Sequence, residues 1–297
     1  MKNLDLFDLK GKKALITGGA MGIGWACATA LAMRGADIAI VDINEKAGKK
    51  TAQSLQRFGV ETVYIPCDVT DQAQVKSMVN TVVAQFGRLD IAVNNAGLYI
   101  HGNDQEQPKA DWDKVIGLNL TGTWLCCQAE MQQMIKQTPT EGKIINMASM
   151  AATISCSNGA YDASKAGVKH LTRTLAAQWG HYNINVNSIS PGYVVASMGD
   201  TSRSAAERQR IRELTPLGYV QRLEDLYGPI LFLASTASDF ITGQDLLVDG
   251  GHTLNTWMTP LTRDIPPRIS PEQELIELNL EQDATDNSQD KNGPRLT

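Results

Sequence analysis

A tyrosine and a lysine stand four residues apart in the run Ala160-Tyr-Asp-Ala-Ser-Lys165. At that spacing the two side chains share one face of a helix, one turn apart. A free phenol titrates near pH ~10. A neighbouring ammonium favours the phenolate and lowers its pKa, so that the phenol can exchange a proton with a substrate oxygen. The pair Tyr161 and Lys165 therefore indicates acid–base chemistry, although one buried aromatic and one solvated lysine would show the same spacing.

A glycine-rich turn near the N-terminus joins a strand to a helix. The apolar run Lys13–Thr17 precedes Gly18-Gly-Ala-Met-Gly-Ile-Gly24, and an apolar helical run over residues 25–33 follows. This order places the first helical N–H groups, and the positive end of the helix dipole, where a diphosphate can bind. The spacing Gly-x-x-x-Gly-x-Gly differs from the usual Gly-x-Gly-x-x-Gly fingerprint. In this context it predicts nucleotide binding rather than a simple connection.

An aspartate follows the second predicted strand, residues 37–41. A carboxylate at this place can accept both hydroxyls of the adenosine ribose, and its charge repels a 2′-phosphate. Ile43 comes next, and the glycine turn carries no Arg or Lys to bind that phosphate. Asp42 could instead cap the following helix, a role that Asn44 fills at least as well. The pattern favours NAD(H) over NADP(H).

Several spaced motifs resemble those of the short-chain dehydrogenase/reductase family, from about residue 9 to residue 253. The resemblance rests on the following runs: Thr17-Gly-Gly-Ala-Met-Gly-Ile-Gly24, Cys67-Asp68-Val69, Asn94-Asn-Ala-Gly97, Gly117-Leu-Asn-Leu120, Asn146-Met-Ala-Ser149, Tyr161-x-x-x-Lys165, Pro191-Gly192 and Ile241-Thr-Gly-Gln-Asp-Leu-Leu-Val-Asp-Gly-Gly251. They occur in the order and at the spacing of the compact branch of that family.

The resemblance implies a catalytic tetrad. It makes Tyr161 the general acid and base, and Ser149 a hydrogen-bond partner of the substrate oxygen. It also implies that Lys165 binds the nicotinamide ribose and lowers the tyrosine pKa. Asn119 is expected to hold a water that links Lys165 to solvent.

The resemblance further implies a cofactor site. Its residues in this chain are Gly18, Met21, Gly22, Ile23, Gly24, Asp42, Ile43, Asp68, Val69, Asn95, Ala96, Gly97, Tyr161, Lys165, Pro191, Gly192, Val194 and Ser197. The pair Asp68 and Val69 resembles the adenine contact, and residues 95–97 resemble the segment along the adenine ribose. Residues 191–194 resemble the segment beside the nicotinamide carboxamide. Where the family usually has a threonine, five residues after that proline, this chain has Ala196, and Ser197 is the candidate substitute.

Composition excludes several classes of function. A net charge of −5 and a pI near 5.4 argue against nucleic-acid and anionic-membrane partners. No apolar stretch is long enough to span a bilayer, and the N-terminus lacks the pattern of a signal peptide, so we expect a cytoplasmic protein. The five cysteines include no Cys-x-x-Cys and are expected to be reduced. The four scattered histidines predict no metal site.

Strand and helix patterns alternate along the chain. Helices are expected near residues 45–58, 71–86, 112–136, 160–179 and 223–234, with strands near 61–66, 90–93, 143–147, 184–189 and 245–248. Regular alternation predicts an α/β fold with a single Rossmann-type, doubly wound parallel sheet and helices on both faces. Ligands bind beyond the carboxyl ends of such strands, where the motifs lie.

The composition changes near the C-terminus. We predict a dinucleotide-binding and catalytic domain over residues 1–257 and a C-terminal extension over 258–297, disordered from Asp283. Ser270-Pro271-Glu272 predicts the start of one short helix. The extension is either without function or a strap over a neighbouring subunit or its active site.

Together these features predict an oxidoreductase that transfers a hydride between NAD(H) and a secondary alcohol or ketone. The expected pocket lining mixes apolar walls with few charges, which favours a small neutral substrate: Tyr99, His101, Met150, Cys156, Tyr193 and Met198. The general look of the chain resembles family members acting on polyols, sugars or small cyclic alcohols. A histidine at a position such as His101 is more often a surface loop residue than a substrate ligand.

Two alternatives remain at this stage. A non-catalytic nucleotide-binding sensor or interaction module on the same fold would be expected to lack a tetrad residue. A dehydratase or epimerase would have a shorter glycine spacing and a larger C-terminal substrate domain. The resemblance also implies a homotetramer, in which the helices near 112–136 and 160–179 pair across two-fold axes through outer positions such as Trp124, Met131, Leu171 and Leu175.

Overall fold

Seven parallel strands form one sheet in the order β3-β2-β1-β4-β5-β6-β7. The computed structural model describes residues 5–102, 104–195, 204–254 and Ile269. The strands are β1 (Lys13–Thr17), β2 (Asp37–Asp42), β3 (Thr62–Pro66), β4 (Ile91–Asn94), β5 (Gly142–Met147), β6 (Ile184–Pro191) and β7 (Asp245–Val248). The strand order reverses between β1 and β4, the kind of switch point beside which ligands bind in open α/β sheets. The predicted doubly wound parallel sheet is confirmed.

Eight α-helices connect and cover the strands in the described part of the chain. They are α1 (Gly22–Met33), α2 (Glu45–Leu55), α3 (Gln72–Phe86), α4 (Lys109–Ile116), α5 (Thr123–Lys136), α6 (Gly159–Trp179), α7 (Ala205–Leu214) and α8 (Tyr227–Ala234). The single helix predicted near 112–136 is instead two helices joined by a π-helical segment, Gly117–Gly122. No helix in the described ranges has the length and apolar character needed to cross a membrane.

Side chains of each buried strand alternate between two apolar layers, as the pleat requires. Leu15 packs into the layer under α3, α5 and α6, whereas Ile16 packs into the layer under α1 and α8. Both side chains are fully buried. Helices therefore cover both faces and leave the strand ends as the place where polar groups collect.

One predicted outer position is wrong. Leu175 is 4% exposed and belongs to the core. The reason is its place on α6: Val168, Thr172, Leu175 and Trp179 follow one another at intervals of four, three and four residues, which is one buried face of a helix. Trp124, in contrast, is 41% exposed, as predicted for an outer position.

The residues from 255 onward, apart from Ile269, lie outside the described part. The predictions for the extension 258–297 concern that region. The predictions for Ala196, Ser197 and Met198 likewise fall on residues that the structure does not describe.

A polar network lies in the core between β4, β5 and the helices α5 and α6. Asn94 Nδ2 donates to Glu130 Oε2 at 2.9 Å and to Asn146 Oδ1 at 3.1 Å. Asn146 Nδ2 donates to Thr172 Oγ1 at 3.0 Å. Glu130 is fully buried, and this burial raises its pKa to about 8. The hydrogen bond from Asn94 opposes the rise but is the smaller effect. The carboxyl group is therefore protonated at neutral pH.

Glu130 makes stability depend on pH in a defined direction. Its folded pKa lies above the ordinary carboxyl value of 4.5, so the folded state holds a proton that the unfolded state releases. Stability from this group is complete below pH ~4.5 and is lost as pH rises toward ~8, at about 1.4 kcal/mol per pH unit. We expect Glu130→Gln, which keeps the shape without a titrating proton, to remove this part of the slope when urea unfolding is measured between pH 5 and 8.

The exposed Glu61 provides the matched control for this experiment. Glu61→Gln should leave the pH dependence of the unfolding free energy unchanged. Equal slopes for wild type and Glu130→Gln would contradict a buried neutral acid at position 130.

Candidate active site

Helix α6 carries Tyr161 in its first turn and Lys165 one turn later. The helix begins after Asn158, whose side-chain oxygen accepts from Tyr161 N at 3.0 Å. Asn158 Nδ2 also donates to Ile100 O at 2.8 Å, which ties the helix start to the loop after β4. The cap thus fixes the position of the phenol relative to the strand ends.

Lys165 is buried at the end of β5. Its Nζ donates to Met147 O at 2.8 Å and lies 5.7 Å from the centre of the Tyr161 ring. Burial lowers the pKa of Lys165 to about 8. The ammonium group is therefore easily deprotonated and is held in place by a strand-end carbonyl.

The pKa of Tyr161 differs from the prediction. Burial raises its pKa to about 12, and the hydrogen bond with the Ser149 side chain lowers it only in part. Within this chain the loss of solvation outweighs the predicted lowering by Lys165, whose ammonium donates to Met147 O. At neutral pH the phenol keeps its proton.

Ser149 follows β5 and lies beside the phenol. Its Oγ accepts from Ala151 N at 3.2 Å at the start of a short 3-10 turn, Met150–Ala152. Ser149 is 8% exposed, and its hydroxyl also bonds with the Tyr161 side chain. The predicted pair of hydroxyl groups is thus brought together.

Asn119 lies in the π-helical segment, and π-bulges inside helices are frequent at functional sites. Its Oδ1 accepts from Leu98 N at 2.8 Å, while Nδ2 donates to Leu98 O at 2.9 Å and to Ser164 Oγ at 3.1 Å. A Cβ placed on Gly97 would lie 3.2 Å from Asn119 Oδ1 and 3.5 Å from Lys165 Nζ. The structure therefore brings Asn119, Gly97 and Lys165 together. Both amide hydrogens of Asn119 already form hydrogen bonds within the protein. The water of the predicted proton relay must therefore bind another atom of Asn119.

The glycine turn leaves its backbone open where α1 begins. Gly18 has a φ of +59°, and a Cβ there would lie 2.9 Å from Ala96 Cα. A Cβ on Gly24 would lie 2.0 Å from Gly18 O. No larger residue fits at these two places, and the first N–H groups of α1, which starts at Gly22, follow directly. This bare cradle at a helix N-terminus suits the diphosphate of a dinucleotide.

Asn95 fastens this turn to β4. Its Nδ2 donates to Thr17 O at 3.2 Å and to Gly18 O at 3.0 Å. Thr17 Oγ1 accepts in return from Asn95 N at 3.0 Å and Ala96 N at 3.1 Å. The Asn95 side chain thus supports the turn, and the ribose contact of residues 95–97 stays a prediction.

Asp42 lies where β2 ends, beside the same turn. Its carboxylate accepts from Ala20 N at 3.1 Å and from Asn44 N at 2.9 Å. Asn44, not Asp42, caps α2 by accepting from Ala47 N. The Tyr64 hydroxyl donates to Asp42 O at 2.8 Å and fixes this strand end. Asp42 therefore has a structural bond to the glycine turn in addition to the role predicted in ribose recognition.

The remaining predicted cofactor residues lie at the same edge. Ile43 is 75% exposed and Met21 is 53% exposed beside the turn, whereas Ile23 is partly buried. Val69 is buried, and the exposed Asp68 accepts from Thr70 N at 2.9 Å within its own loop.

The segment 191–195 is held by a residue that the sequence analysis missed. Gly192 N donates to Val248 O and to Gln221 Oε1, both at 2.9 Å. Val195 N donates to Gln221 O at 2.7 Å, and Gln221 N donates to Tyr193 O at 3.1 Å. The sequence around Gln221 carries no motif, so no local signal could have identified it.

Aromatic rings line the approach to Tyr161. The Tyr99 ring meets the Tyr161 ring edge-on at 5.1 Å, and the His101 ring meets Tyr99 at 4.8 Å. The Tyr193 ring meets His252 at 5.2 Å. Of the other predicted lining residues, Cys156 is partly exposed and Met150 is only 3% exposed, so Met150 offers little surface to a ligand. Within the described ranges no group of His, Cys, Asp and Glu could hold a metal ion.

Comparison with known proteins agrees with this geometry. The family profile described as enoyl-(acyl carrier protein) reductase matches residues 18–253. The D-threitol dehydrogenase of Mycolicibacterium smegmatis is 40% identical over 249 residues, which cover 84% of this chain and 95% of that protein. The chain belongs to the short-chain dehydrogenase/reductase family.

Other members of this family are similar over the same span. The NAD-dependent glycerol dehydrogenase of Listeria innocua is 34% identical over 249 residues, and the match covers 84% of this chain and 96% of that protein. A crystal structure of a gluconate 5-dehydrogenase from Burkholderia cenocepacia, in complex with NADP and tartrate, has a TM-score of 0.81 at 35% identity. It covers 85% of this chain and 99% of that one. This short-chain dehydrogenase/reductase is accordingly a nicotinamide-dependent oxidoreductase that interconverts alcohol and ketone groups.

Proposed function

We propose that the enzyme uses NAD(H) and interconverts a secondary hydroxyl and a ketone in a small neutral polyol or sugar. The observation that carries the proposal is the meeting of Tyr161, Ser149 and Lys165 at the strand ends beside a glycine cradle. The relatives that support it are a threitol and a glycerol dehydrogenase, whereas other similar proteins are gluconate 5-dehydrogenases. The aromatic and largely uncharged surroundings of Tyr161 support a neutral substrate.

When bound beside this centre, the nicotinamide would supply the hydride acceptor, or the hydride donor in the reverse direction, for the carbon that bears the reacting oxygen. Ser149 and Tyr161 hold the substrate oxygen between their hydroxyl groups. Since the pKa of Tyr161 is raised to about 12, its phenol is protonated at neutral pH and donates to the oxygen of a ketone. In the opposite direction the phenolate removes the hydroxyl proton of the alcohol.

Lys165 and Asn119 support this proton transfer. Lys165 Nζ, whose pKa burial lowers to about 8, is placed to hold the ribose hydroxyls and to exchange protons near neutral pH. Asn119 ties the loop after β4 to α6 and so keeps Gly97 against Lys165. Each of the four residues then has a task that its position permits.

Replacing Tyr161 by phenylalanine removes the proton carrier and keeps the ring. We expect Tyr161→Phe to lower kcat by at least ~10²-fold, because general acid–base catalysis contributes that much. NADH affinity, measured by fluorescence titration, should stay nearly intact. Since the phenolate becomes more abundant as pH rises, wild-type alcohol oxidation should increase with pH and ketone reduction should not.

Tyr182 lies on the surface, 37% exposed, and supplies the matched control. Tyr182→Phe should turn over like the wild type. Retention of wild-type turnover by Tyr161→Phe would remove Tyr161 from the mechanism.

The preference for NAD(H) is proposed from Asp42. Its carboxylate lies next to the glycine turn, where it would repel a 2′-phosphate, and the neighbouring Ile43 is apolar and exposed. The similar gluconate 5-dehydrogenase structure contains NADP, so the family alone does not decide the cofactor.

Two substitutions at this strand end test the preference. Asp42→Ala combined with Ile43→Arg should shift affinity from NADH toward NADPH, because a repulsive charge is lost and a phosphate partner is gained. Asp42→Asn, which keeps one side-chain oxygen as an acceptor, separates loss of charge from loss of the bond to Ala20 N. Tighter binding of NADPH than of NADH by the unmodified enzyme would show that the proposed role of Asp42 is wrong.

We further propose a homotetramer built on one catalytic domain, residues 1–257, with the extension 258–297 acting between subunits. Trp112 on α4 and Trp124 on α5 are 43% and 41% exposed, which suits an interface. The family match ends at residue 253, before the extension.

Light scattering at micromolar concentration should give four times the mass of one chain. Truncation after Thr253 should lower the stability of the oligomer or the affinity for substrate, with NADH binding little changed. A monomeric mass would contradict the proposed assembly. Equal melting temperature, mass and KM for the two forms would contradict a role for the extension.

A further inference from the structure

A cavity of about 210 Å³ lies at the carboxyl ends of β6 and β7, beside Gly192. Its lining includes the polar side chains of Tyr193, Gln221 and Asp249. Neighbouring strands are ~4.8 Å apart, and Ser149 follows β5, the strand next to β6. The cavity therefore lies at the same edge of the sheet as the proposed reaction centre, beside the next strand end.

The amide of Gln221 has a defined orientation. Gly192 N can only donate, so the side-chain atom 2.9 Å from it must be the carbonyl oxygen Oε1. The other end of the amide, Nε2, is buried and has no hydrogen-bond partner in the described structure. Gln221 as a whole is 8% exposed and lines the cavity. A buried donor without a partner is unfavourable, so this N–H group needs an acceptor.

The charges around the cavity restrict what that acceptor can be. Asp249 and Asp225 both line it. Asp225 is paired with Arg222 at 3.2 Å, but in the described residues no cation pairs with Asp249. The carboxylate of Asp249 accepts from Gly251 N at 2.9 Å and from Thr253 N at 2.8 Å. An anionic ligand would meet this negative charge, whereas a hydroxyl group can accept from Nε2 and donate to a carboxylate oxygen.

We propose that Gln221 determines substrate specificity, by donating from Nε2 to a hydroxyl remote from the reacting carbon of a neutral polyol. The same side chain, through Oε1, holds Gly192 in the segment beside the nicotinamide site. The inference rests on the proposed function and adds the residue that selects a neutral polyol over a sugar acid.

A comparison of two substrates separates these two tasks of Gln221. D-threitol and 2,3-butanediol share a four-carbon chain with two secondary hydroxyls, but only D-threitol has terminal hydroxyls. Gln221→Met keeps the size of the side chain but removes both the donor Nε2 and the acceptor Oε1, so a loss common to both substrates reports the loop and the extra loss on D-threitol reports the donor. We expect it to lower kcat/KM for D-threitol by about tenfold, mainly through KM, as for loss of one hydrogen bond. For 2,3-butanediol the change should be much smaller.

Controls make each outcome decisive. Gln53 is exposed on α2, so Gln53→Met should match the wild type. An equal loss on both substrates for Gln221→Met would mean that Gln221 only fixes the loop, and this result would overturn the proposal. Should that variant not fold, Gln221→Glu, which keeps an acceptor for Gly192 N, takes its place.

The unmodified enzyme provides an independent test. It should use D-threitol more efficiently than both 2,3-butanediol and gluconate at saturating NAD+. Equal or better use of either of the latter would overturn the proposal. Failure to oxidise any of the three with NAD+ or NADP+ would instead refute the proposed function, which the variants alone cannot do.

Discussion

Backbone groups at the carboxyl ends of the strands are the constraint on which the site depends. A parallel strand that ends at the sheet edge leaves N–H and C=O groups that must find partners when they are buried. Met147 O receives Lys165 Nζ, and Gly18 O receives Asn95 Nδ2. Gly192 N is met by Gln221, and Ala20 N by Asp42. The residues proposed to bind ligand thus also complete the backbone hydrogen bonds of the fold.

This double use explains the electrostatics of the centre. Holding Lys165 against a strand-end carbonyl requires its burial, and burial lowers its pKa to about 8. Tyr161 lies in the same dry place, where burial raises its pKa to about 12. The two groups lose solvation together, so their pKa values move apart from ordinary values that nearly coincide, and Lys165 becomes the stronger acid of the pair. Transfer of a proton from the Lys165 ammonium to a Tyr161 phenolate is therefore more favourable than between the same groups in water.

The sequence allowed prediction of those parts that depend on local pattern. Alternating strands and helices gave the sheet, and the spacing of Tyr161 and Lys165 placed both on one helix. Parts that depend on packing between distant segments could not be predicted. Gln221 holds the loop after β6 from 29 residues away in sequence. Glu130 is neutral because α5 buries it in the core, although its hydrogen bond from Asn94 lowers its pKa in part. The π-helical segment at Asn119 and the burial of Leu175 likewise follow from how the helices seat on the sheet, as does the raised pKa of Tyr161.

The central claim is that this strand edge performs alcohol oxidation with NAD+ rather than only binding the nucleotide. The most direct measurement is NADH formation, followed by absorbance, when the purified full-length enzyme is mixed with NAD+ and a panel of neutral secondary alcohols and polyols. The account predicts turnover with polyols, faster with NAD+ than with NADP+. Tight NADH binding without reduction of either cofactor by any member of the panel would contradict it and would indicate a nucleotide sensor.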